Sequence, residues 1–325
     1  IAMGNAGLVT RILGPSRGSF LTYGAIDDDR GTAPGQLTAH KLRSLYNIDN
    51  ITTETMICGL VGLPVMHSVS PHIHNAAFAA EKLNGVYVPF EVRDVKTFFK
   101  RMVHPATREL NWNLRGLSIT APHKQTVMEC LNWISDDAKE IGAVNTVVVE
   151  DDRLLGYNTD AAGLIEPLLK VIGSLSKKEV AVIGAGGAAR AAVWALQREG
   201  ANLTIFARNV DKARESHKVR CESLTNASFS GYDLVINATP LGSGEHIEKS
   251  PATLEQLTGA GCIYDLVYNP IETRLMREAR QAGCKTLGGL DMLVSQAKLQ
   301  FELWTGIKST DSHALTQICR SVLAE

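Results

Sequence analysis

The chain has 325 residues, enough for about two ordinary domains of roughly 150 residues each. Its 33 Lys and Arg residues balance 34 Asp and Glu residues, so no global field favours nucleic acid or an anionic membrane as a partner. The six cysteines include no C-x-x-C pair, and no segment approaches ~20 continuous apolar residues. The composition therefore favours a cytoplasmic protein with reduced thiols that acts on a small molecule.

The first fifty residues contain few predicted elements. Short apolar stretches occur in "GLVTRILGP" and "GSFLTYGAI", and the Gly- and Pro-rich "GTAPGQLT" follows them. Such a segment is too small to bury a core of its own. We interpret residues 1–50 as the end of a larger domain.

From Met56 onwards, strand and helix patterns alternate. The patterns predict strands at "MICGLVG", "VYVPFEV" and "RGLSIT", and helices at "SPHIHNAAFAAEKL", "VKTFFKRMV" and "PHKQTVMECLNWI". Ser70 and Pro71 are expected at the N-cap and the first position of the first of these helices. Two further strands, "AVNTVVVED" and "RLLGYN", follow. This order predicts a mostly parallel sheet that is covered by helices.

A connecting helix, "AAGLIEPLLKVI", leads to a second α/β segment. Its predicted strands are "VAVIGA", "ANLTIFA", "DLVINA" and "CIYDLVY", and two amphipathic helices form the tail of the chain. The sequence therefore predicts a two-domain α/β protein. We expect residues 51–160 with 289–325 to form a substrate-binding α/β domain, and residues 161–288 to form a Rossmann dinucleotide-binding domain.

A glycine turn opens the second domain. The stretch "GAGGAA" fits G-x-G-x-x-G/A and lies between a predicted strand and a predicted helix, which is the context that this motif requires. Its glycines allow a tight turn and a close approach of the pyrophosphate to the N-terminus of the helix. The expected cofactor-binding residues here are Gly184, Ala185, Gly186, Gly187 and Ala188.

Arg208 stands where an NAD-binding site normally carries an acid. In a βαβ unit, an Asp or Glu at the end of the second strand accepts hydrogen bonds from the ribose hydroxyls of NAD. A guanidinium group suits the 2′-phosphate of NADP instead, and Lys212 could add a second charge. The alternative is that Arg208 is a solvated loop residue. The pattern favours NADP as the cofactor.

Polar clusters follow the strands of the first domain. Ser68 and Ser70 lie on a strand-to-helix turn, where their hydroxyls can bind an anion or a polyol, although Ser70 could serve only as a cap. Thr120 is expected at a strand end, and Lys124 in the first turn of a helix, where the dipole opposes a cation. A lysine that faces a cleft there can act as an acid or base, the alternative being a solvated surface lysine.

Two more clusters, "AVNT" and "NTD", supply Asn145, Asn158, Thr159 and Asp160. Asp160 close to Lys124 would form a charged pair in which the carboxylate holds the ammonium group. His67, His72 and His74 suggest a metal site, but no acid or cysteine accompanies them at ligand spacing, so we expect no metal.

Taken together, these motifs resemble those of shikimate dehydrogenases. "HSVSPHIHN", "TAPHK", "GAVNT", "GYNTD", "GAGGAARA", "INATPLG", "DLVYNP" and "GGLDMLVSQAKLQFELW" occur in the order typical of that family. The resemblance implies an NADP-dependent oxidoreductase that interconverts 3-dehydroshikimate and shikimate in the shikimate pathway of aromatic amino acid biosynthesis. It also implies site residues.

Lys124 and Asp160 would form the catalytic pair. The substrate would be bound by Ser68, Ser70, Thr120, Asn145, Tyr268 and Gln296, and the cofactor also by Arg208, Asn237, Ala238, Thr239 and Gly289. Two positions depart from the family pattern. The usual Asn-Arg-Thr is Ala207-Arg208-Asn209 here, and an Asn of the family is replaced by Ser118.

The N-terminal segment resembles another enzyme family. "MGNAGLVTRILGP", "GSFLTYG" and "APGQLT" are similar to the last strand and loop of type I dehydroquinate dehydratases, which are (β/α)₈ barrels that form a Schiff base. Arg11, Thr32 and Gln36 match substrate-binding positions of that family. About 45 residues cannot close a barrel of about 250. The resemblance implies part of a multifunctional dehydratase–dehydrogenase in which only the dehydrogenase is complete, so we expect no dehydratase activity.

Three alternatives remain open at this point. A quinate dehydrogenase shares the scaffold and accepts an additional hydroxyl group. A non-catalytic NADP-binding regulator would bind the cofactor without oxidising a cyclohexene acid. A dehydratase is the third alternative, and the missing Schiff-base lysine disfavours it.

Overall fold

The protein is described by a computed structural model that covers residues 7–27, 31, 36–308 and 311–324. The chain divides into two compact units. The first comprises Ile1–Asn158 and Ala297–Asp311, and the second comprises Thr159–Gln296 and Ser312–Glu325. The predicted segment 289–325 is thus shared between the units, and the predicted domain boundaries stay predictions.

The first unit contains a six-stranded mixed sheet. Its strands are β1 (Met56–Gly62), β2 (Gly85–Glu91), β3 (Leu114–Ile119), β4 (Trp133–Ile134), β5 (Thr146–Glu150) and β6 (Arg153–Tyr157). They lie in the order β2-β1-β3-β5-β6-β4. β1 is parallel to β2 and β3, and β4 is parallel to β6, whereas β5 is antiparallel to both of its neighbours. The sheet is therefore parallel across β2, β1 and β3, the strands that are joined by helical segments along the chain.

The helices of the first unit are short. They are α1 (Leu8–Leu13), α2 (Ala39–Ser44), α3 (Ser70–Ala80), α4 (Val95–Phe98), which continues as a π-helical turn (Phe99–Val103), and α5 (Asp136–Ile141). Leu8, Ile12 and Leu42 of the N-terminal segment belong to the same buried cluster as Val86 and Val88 of β2. These described residues of the N-terminal segment are thus part of the core of this unit.

Two sequence predictions in this unit are wrong. The helix expected over residues 122–134 is replaced by a 3₁₀ helix (Thr126–Cys130) and β4. Pairing decides this, because Asn132 N donates to the Leu154 carbonyl at 3.0 Å and β4 joins the edge of the sheet at β6. Ser70 is the first residue of α3 rather than its N-cap, and Val69 occupies the cap position without a side-chain hydrogen bond.

The second unit contains a six-stranded sheet in which every pairing is parallel. Its strands are β7 (Glu179–Ile183), β8 (Asn202–Ala207), β9 (Arg220–Ser223), β10 (Leu234–Asn237), β11 (Cys262–Asp265) and β12 (Lys285–Gly288), in the order β12-β11-β10-β7-β8-β9. Counted within the unit, this is the 3-2-1-4-5-6 order of a Rossmann fold. The predicted α/β fold class is confirmed.

Helices precede, connect and follow these strands along the chain. They are α6 (Asp160–Ile172), α7 (Gly187–Arg198), α8 (Val210–Ser216), α9 (Leu254–Leu257), α10 (Arg274–Gln281), α11 (Gly289–Thr305) and α12 (Ser312–Ala324). The boundary between the two units falls within α11, after Gln296. In the second unit, strand order reverses between β7 and β10, and ligands of open α/β sheets bind at the carboxyl ends of strands at such a switch point.

Candidate active site

Five predicted substrate-binding and catalytic residues of the first unit meet at one edge of its sheet. Ser68 and Ser70 follow β1, whereas Thr120 and Lys124 follow β3, and these two strands are parallel neighbours. Asn145 precedes β5, which is antiparallel to β3, and its carbonyl accepts a hydrogen bond from Ile119 N at 2.7 Å. The carboxyl ends of β1 and β3 and the start of β5 therefore lie side by side.

The two serines form a compact polar turn at the start of α3. Ser68 Oγ donates to Ser70 Oγ at 3.0 Å and accepts a hydrogen bond from Ser70 N at 3.2 Å. Ser70 is buried, and Pro71 occupies the next position of the helix. Because the first turn of a helix leaves backbone N–H groups without helical partners, this turn suits a carboxylate group.

Lys124 lies on the segment that joins β3 to the 3₁₀ helix (Thr126–Cys130). It precedes that helix, so its predicted place in a first helical turn is wrong. Its backbone carbonyl accepts a hydrogen bond from Val144 N at 2.8 Å, and Thr120 N donates to the Val61 carbonyl at 2.9 Å. Both residues are half-buried at the sheet edge and anchored through their backbones.

A buried chain of hydrogen bonds leads to Asn145. Tyr87 OH donates to Ser118 Oγ at 2.7 Å, and Ser118 Oγ donates to Gln300 Oε1 at 2.7 Å. Gln300 Nε2 donates to Thr146 Oγ1 at 3.1 Å, and Thr146 Oγ1 donates to Asn145 Oδ1 at 2.7 Å. Burial raises the pKa of Tyr87, so its hydroxyl stays protonated and remains a donor. The chain orients the side chain of Asn145.

Asp160 and Gln296 are neighbours in the second unit. Asp160 begins α6 and is buried, and Thr159 Oγ1, one residue earlier, donates to Gln296 Oε1 at 3.5 Å. A Cβ atom at Gly163 would lie 2.7 Å from Gln296 Cβ, so only glycine allows this approach of α6 to α11. The first turn of α6 and Gln296 thus present polar groups side by side.

A cavity of about 860 Å³ lies within the second unit, at the carboxyl ends of β7, β8 and β10. Its walls include the predicted residues Gly184, Ala185, Gly186, Arg208, Ala238 and Thr239. Gly184 has φ +109°, and a Cβ atom there would lie 3.0 Å from Thr239 Cγ2. A Cβ atom at Gly186 or Gly187 would meet nothing within 4 Å. The glycine turn therefore leaves open space at the N-terminus of α7, which fits a pyrophosphate group.

The cavity is strongly basic. Arg190, Arg208, Lys212 and Lys249 line it, and no Asp or Glu belongs to the described residues of its walls. Asn209 Oδ1 caps α8 by accepting a hydrogen bond from Lys212 N at 3.0 Å, so the departure from the expected Thr preserves a helix cap beside Arg208. The residues fit a dinucleotide with an additional phosphate group.

Comparison with known protein families agrees with this geometry. The shikimate dehydrogenase substrate binding domain matches residues 60–147, and the shikimate 5′-dehydrogenase C-terminal domain matches residues 289–309. An NAD(P)-binding family matches residues 171–244, and type I 3-dehydroquinase matches residues 1–53.

A curated relative decides the family. The NADP(+) shikimate dehydrogenase of Caldanaerobacter subterraneus subsp. tengcongensis is 40% identical over 268 residues, which cover 79% of this chain and 94% of the relative. This chain belongs to the shikimate dehydrogenase family. The chloroplastic bifunctional 3-dehydroquinate dehydratase/shikimate dehydrogenase of Arabidopsis thaliana is 35% identical over 328 residues. That match covers 94% of this chain and only 53% of the relative.

Solved structures share the fold. Shikimate 5-dehydrogenase from Thermus thermophilus, in complex with NADP(H) and shikimate, has a TM-score of 0.74 at 35% identity. The match covers 83% of this chain and 100% of that one. Quinate dehydrogenase from Corynebacterium glutamicum, in complex with NAD, has a TM-score of 0.73 at 28% identity over 82% of this chain and 99% of that one. The predicted resemblance to shikimate dehydrogenases is confirmed.

Within this family member, four predicted cofactor residues lie outside the cavity walls. Gly187 and Ala188 begin α7, Asn237 ends β10, and Gly289 begins α11. A Cβ atom at Gly289 would collide with the backbone carbonyl of Leu266, so glycine permits this close approach. Tyr268, predicted to contact the substrate, is half-buried three residues after β11.

Asn237 fixes the position of the wall residue Thr239 by hydrogen bonds. Its Oδ1 accepts hydrogen bonds from Thr239 N at 3.0 Å and Thr239 Oγ1 at 2.7 Å, and its Nδ2 donates to Asp265 Oδ1 at 2.9 Å. Asp265 is fully buried and also accepts from Val267 N at 3.1 Å and Thr273 Oγ1 at 2.6 Å. Burial raises the pKa of Asp265, whereas these three donors lower it. The buried carboxylate thus ties the ends of β10 and β11 to the cavity wall.

Several residues of these networks are not among those predicted from the sequence. Gln300 follows Gln296 by one helical turn, so helical spacing on α11 could have paired them. Asp265 is an acid within an otherwise apolar strand, and such a residue needs buried partners. His246 and Lys249 line the cofactor cavity, but they come from an irregular segment with no motif in the sequence.

The predicted histidine cluster does not form a metal site. Among the described residues, no group of three or more His, Cys, Asp or Glu side chains could hold a metal ion. The ring of His74 is stacked on that of Tyr87 at 4.3 Å and lies 5.1 Å from that of Trp304. Burial lowers the pKa of His74 to about 3, so it is a neutral residue of the core.

Two of the three predicted dehydratase residues can be placed. Arg11 is buried on α1, and Gln36 is half-buried before α2, whereas Thr32 lies outside the described residues. Phe20 and Ile26, on the segment between these helices, are 99% and 80% exposed. Separately, among the residues that the structure describes, no helix has the length and apolarity needed to cross a membrane.

Proposed function

We propose that this family member is an NADP-dependent shikimate dehydrogenase that interconverts 3-dehydroshikimate and shikimate. The observation that carries the proposal is the basic cavity of the second unit, in which a glycine turn and Arg208 lie at the switch point of a Rossmann sheet. The family to which the chain belongs supplies the substrate class. When bound, NADPH supplies a hydride to the ketone carbon of the substrate.

The cofactor is held by backbone and by charge. Gly184, Ala185 and Gly186, with Gly187 and Ala188 at the start of α7, bind the pyrophosphate through backbone N–H groups. Arg208 binds the 2′-phosphate through charge-assisted hydrogen bonds, and Lys212 adds a second positive charge. Ala238 and Thr239 form the wall after β10, Asn237 holds that wall in place, and Gly289 provides a backbone contact to the nicotinamide.

The substrate is held by hydroxyl and amide groups. Ser68 and Ser70 bind the ring carboxylate at the start of α3, where their own hydrogen bond holds them together. Thr120 and Asn145 bind ring hydroxyls, and so does Gln296. Tyr268 lies near the substrate carboxylate. Holding the ring in one orientation selects the face that receives the hydride.

Lys124 and Asp160 are the proposed catalytic residues. As the hydride reaches the carbonyl carbon, negative charge develops on the carbonyl oxygen, and the Lys124 ammonium group donates a proton to it. Asp160 accepts a hydrogen bond from a ring hydroxyl. In the reverse direction, the amine form of Lys124 would accept the hydroxyl proton, and bound NADP(+) would accept the hydride from the same carbon.

The direct test uses the purified chain with shikimate and NADP(+). The proposal expects a rise in absorbance at the NADPH band, and a fall when NADPH is mixed with 3-dehydroshikimate. If the protein binds NADPH with no absorbance change in either direction, it is instead a non-catalytic NADP-binding protein of the same fold, and the proposal is wrong.

The similarity to a quinate dehydrogenase makes quinate the second candidate substrate. Measuring kcat/KM for shikimate and quinate, each with NADP(+) and NAD(+), separates the two. Because the wall at Arg208 is basic, we expect higher kcat/KM with NADP(+) and shikimate. Higher kcat/KM with NAD(+) and quinate would support the second candidate.

Residues 1–53 support a further proposal about the longer protein. Their match to type I 3-dehydroquinase and the bifunctional Arabidopsis relative suggest that they belong to a dehydratase domain. This chain spans about half of that relative. The absence of dehydratase turnover in the 325-residue chain and a cytoplasmic location stay predictions.

A further inference from the structure

Lys249 is a cation in the cofactor cavity to which the sequence motifs assign no role. It lines the cavity together with Arg208 and Lys212, yet it comes from the segment that follows β10 rather than from β8 and α8. Because β10 and β8 lie on opposite sides of β7, the segments that follow them face each other across the glycine turn that follows β7. The cavity is therefore basic on two walls.

The wall that carries Lys249 is held by its own backbone. Gly242, with φ +99°, donates its N–H to the His246 carbonyl at 2.9 Å, and Lys249 N donates to the same carbonyl at 2.9 Å. His246 N donates to the Ser243 carbonyl at 2.9 Å, and Arg274 Nη1 donates to the Glu248 carbonyl at 3.4 Å. These consecutive turns fix the backbone position of Lys249. The residue is therefore held in place at the cavity wall.

Three of the four cations of the cavity wall are not neutralised by any described acidic side chain. Within the described part of the chain, Arg208, Lys212 and Lys249 take part in no ion pair, and no Asp or Glu is among the described wall residues. A phosphate monoester carries about −1.5 to −2 charges at pH 7. A ligand with such a group, in addition to a pyrophosphate, would balance three cations better than one without it.

We propose that Lys249 is a cofactor-specificity residue whose ammonium group binds the 2′-phosphate of NADP from the wall opposite Arg208. This inference rests on the proposed function, because it deepens the cofactor choice of the same site. Arg208 and Lys249 together bind the phosphate from two sides, and Lys249 adds to the discrimination against NAD that Arg208 and Lys212 provide.

The test measures binding rather than turnover. Dissociation constants of adenosine 2′,5′-bisphosphate and of adenosine 5′-monophosphate, which differ only in the 2′-phosphate, are determined by calorimetry for the wild-type chain and Lys249→Gln. The substitution is expected to weaken binding of the bisphosphate about tenfold and to leave that of the monophosphate unchanged. Lys249→Arg retains the charge and should restore most of the affinity.

Lys218→Gln is the matched control, because Lys218 is an exposed lysine of the same unit that is not among the residues of the cavity wall. It should bind both nucleotides as the wild type does. Equal weakening of both nucleotides by Lys249→Gln, no weakening of either, or no binding of the bisphosphate by the wild type would each overturn the proposal. A protein that binds the bisphosphate as expected but does not oxidise shikimate would overturn the proposed activity and leave this inference standing.

Discussion

The two units form their predicted sites in different ways. In the second unit, the cofactor cavity depends on backbone shape, because Gly184 and Gly186 leave room that side chains would fill and α7 presents its N-terminus. In the first unit, the substrate edge depends on side chains that follow β1 and β3 or precede β5. One of them, Asn145, is aligned by hydrogen bonds that pass through Ser118 and Gln300. Backbone sites depend on local sequence, whereas side-chain sites depend on pairing between distant segments.

The largest expected effect is at Lys124. Replacing it with Ala should lower kcat by roughly 10²–10⁴-fold, because the developing alkoxide loses its proton donor, while the dissociation constant of NADPH is unchanged. Steady-state kinetics and fluorescence titration measure the two quantities. Lys100→Ala, at an exposed lysine of the same unit, is the control. An unchanged kcat in Lys124→Ala would remove Lys124 as the donor.

The second-largest expected effect is on cofactor binding in the second unit, at Arg208. Arg208→Gln should weaken NADP(+) binding by roughly tenfold to a hundredfold, since a charge-assisted contact to phosphate is lost, and should leave NAD(+) binding nearly unchanged. Both dissociation constants are measured on the same preparation, so NAD(+) is the internal control. Equal losses for the two cofactors would mean that Arg208 contacts a part of the dinucleotide that they share.

Substitution of Asp265 tests whether its buried hydrogen-bond network also determines the shape of the cofactor cavity. In Asp265→Asn, the amide group would face the Thr273 hydroxyl, which already accepts a hydrogen bond from Met276 N at 3.2 Å. Leaving that hydroxyl without an acceptor should lower the free energy of unfolding by about 1–3 kcal/mol. Because Asn237 and Thr239 depend on this carboxylate, NADP(+) affinity should also fall. Chemical denaturation and calorimetry measure the two effects.

Asp233→Asn is the matched control, because Asp233 is a partly exposed carboxylate of the same unit that pairs with Lys178 and accepts a hydrogen bond from Glu179 N. Such pairs contribute about 0–1 kcal/mol, so stability should change less and cofactor affinity should not change. Similar losses in the two variants would show that the buried network has no special role.

His74 should produce the smallest effect, a change in the pH dependence of stability. The folded protein holds the pKa of His74 near 3, against an ordinary value of 6.5. Between these values the unfolded chain binds a proton that the folded chain does not, so stability falls as pH falls from about 6.5 towards 3. The slope from one such group is at most about 1.4 kcal/mol per pH unit.

Replacing His74 with Phe removes this contribution and should flatten the dependence, as measured by denaturation at several pH values. His40→Phe, at an exposed histidine of the same unit, should retain the wild-type slope. If the two variants have the same slope, another group in the first unit causes the loss of stability in acid.

Much of the fold could be predicted from the sequence, and the errors occur where pairing overrides local pattern. The predicted strands of both units follow runs of apolar and β-branched residues, and the structure has strands there. The segment 122–134 has helical spacing, yet Trp133 and Ile134 pair with β6. A strand pairing depends on a partner about twenty residues away, which local periodicity does not include.

By itself, the sequence determined the α/β class, the glycine turn and the positive charge of Arg208, because each depends on a short run of residues and on the conformations that those residues allow. Only the tertiary structure revealed the chain of hydrogen bonds from Tyr87 to Asn145, the buried carboxylate of Asp265 and the position of Lys249 in the cavity. These arrangements join segments far apart in the chain, and a buried polar group is stable only where folding brings it to its partners.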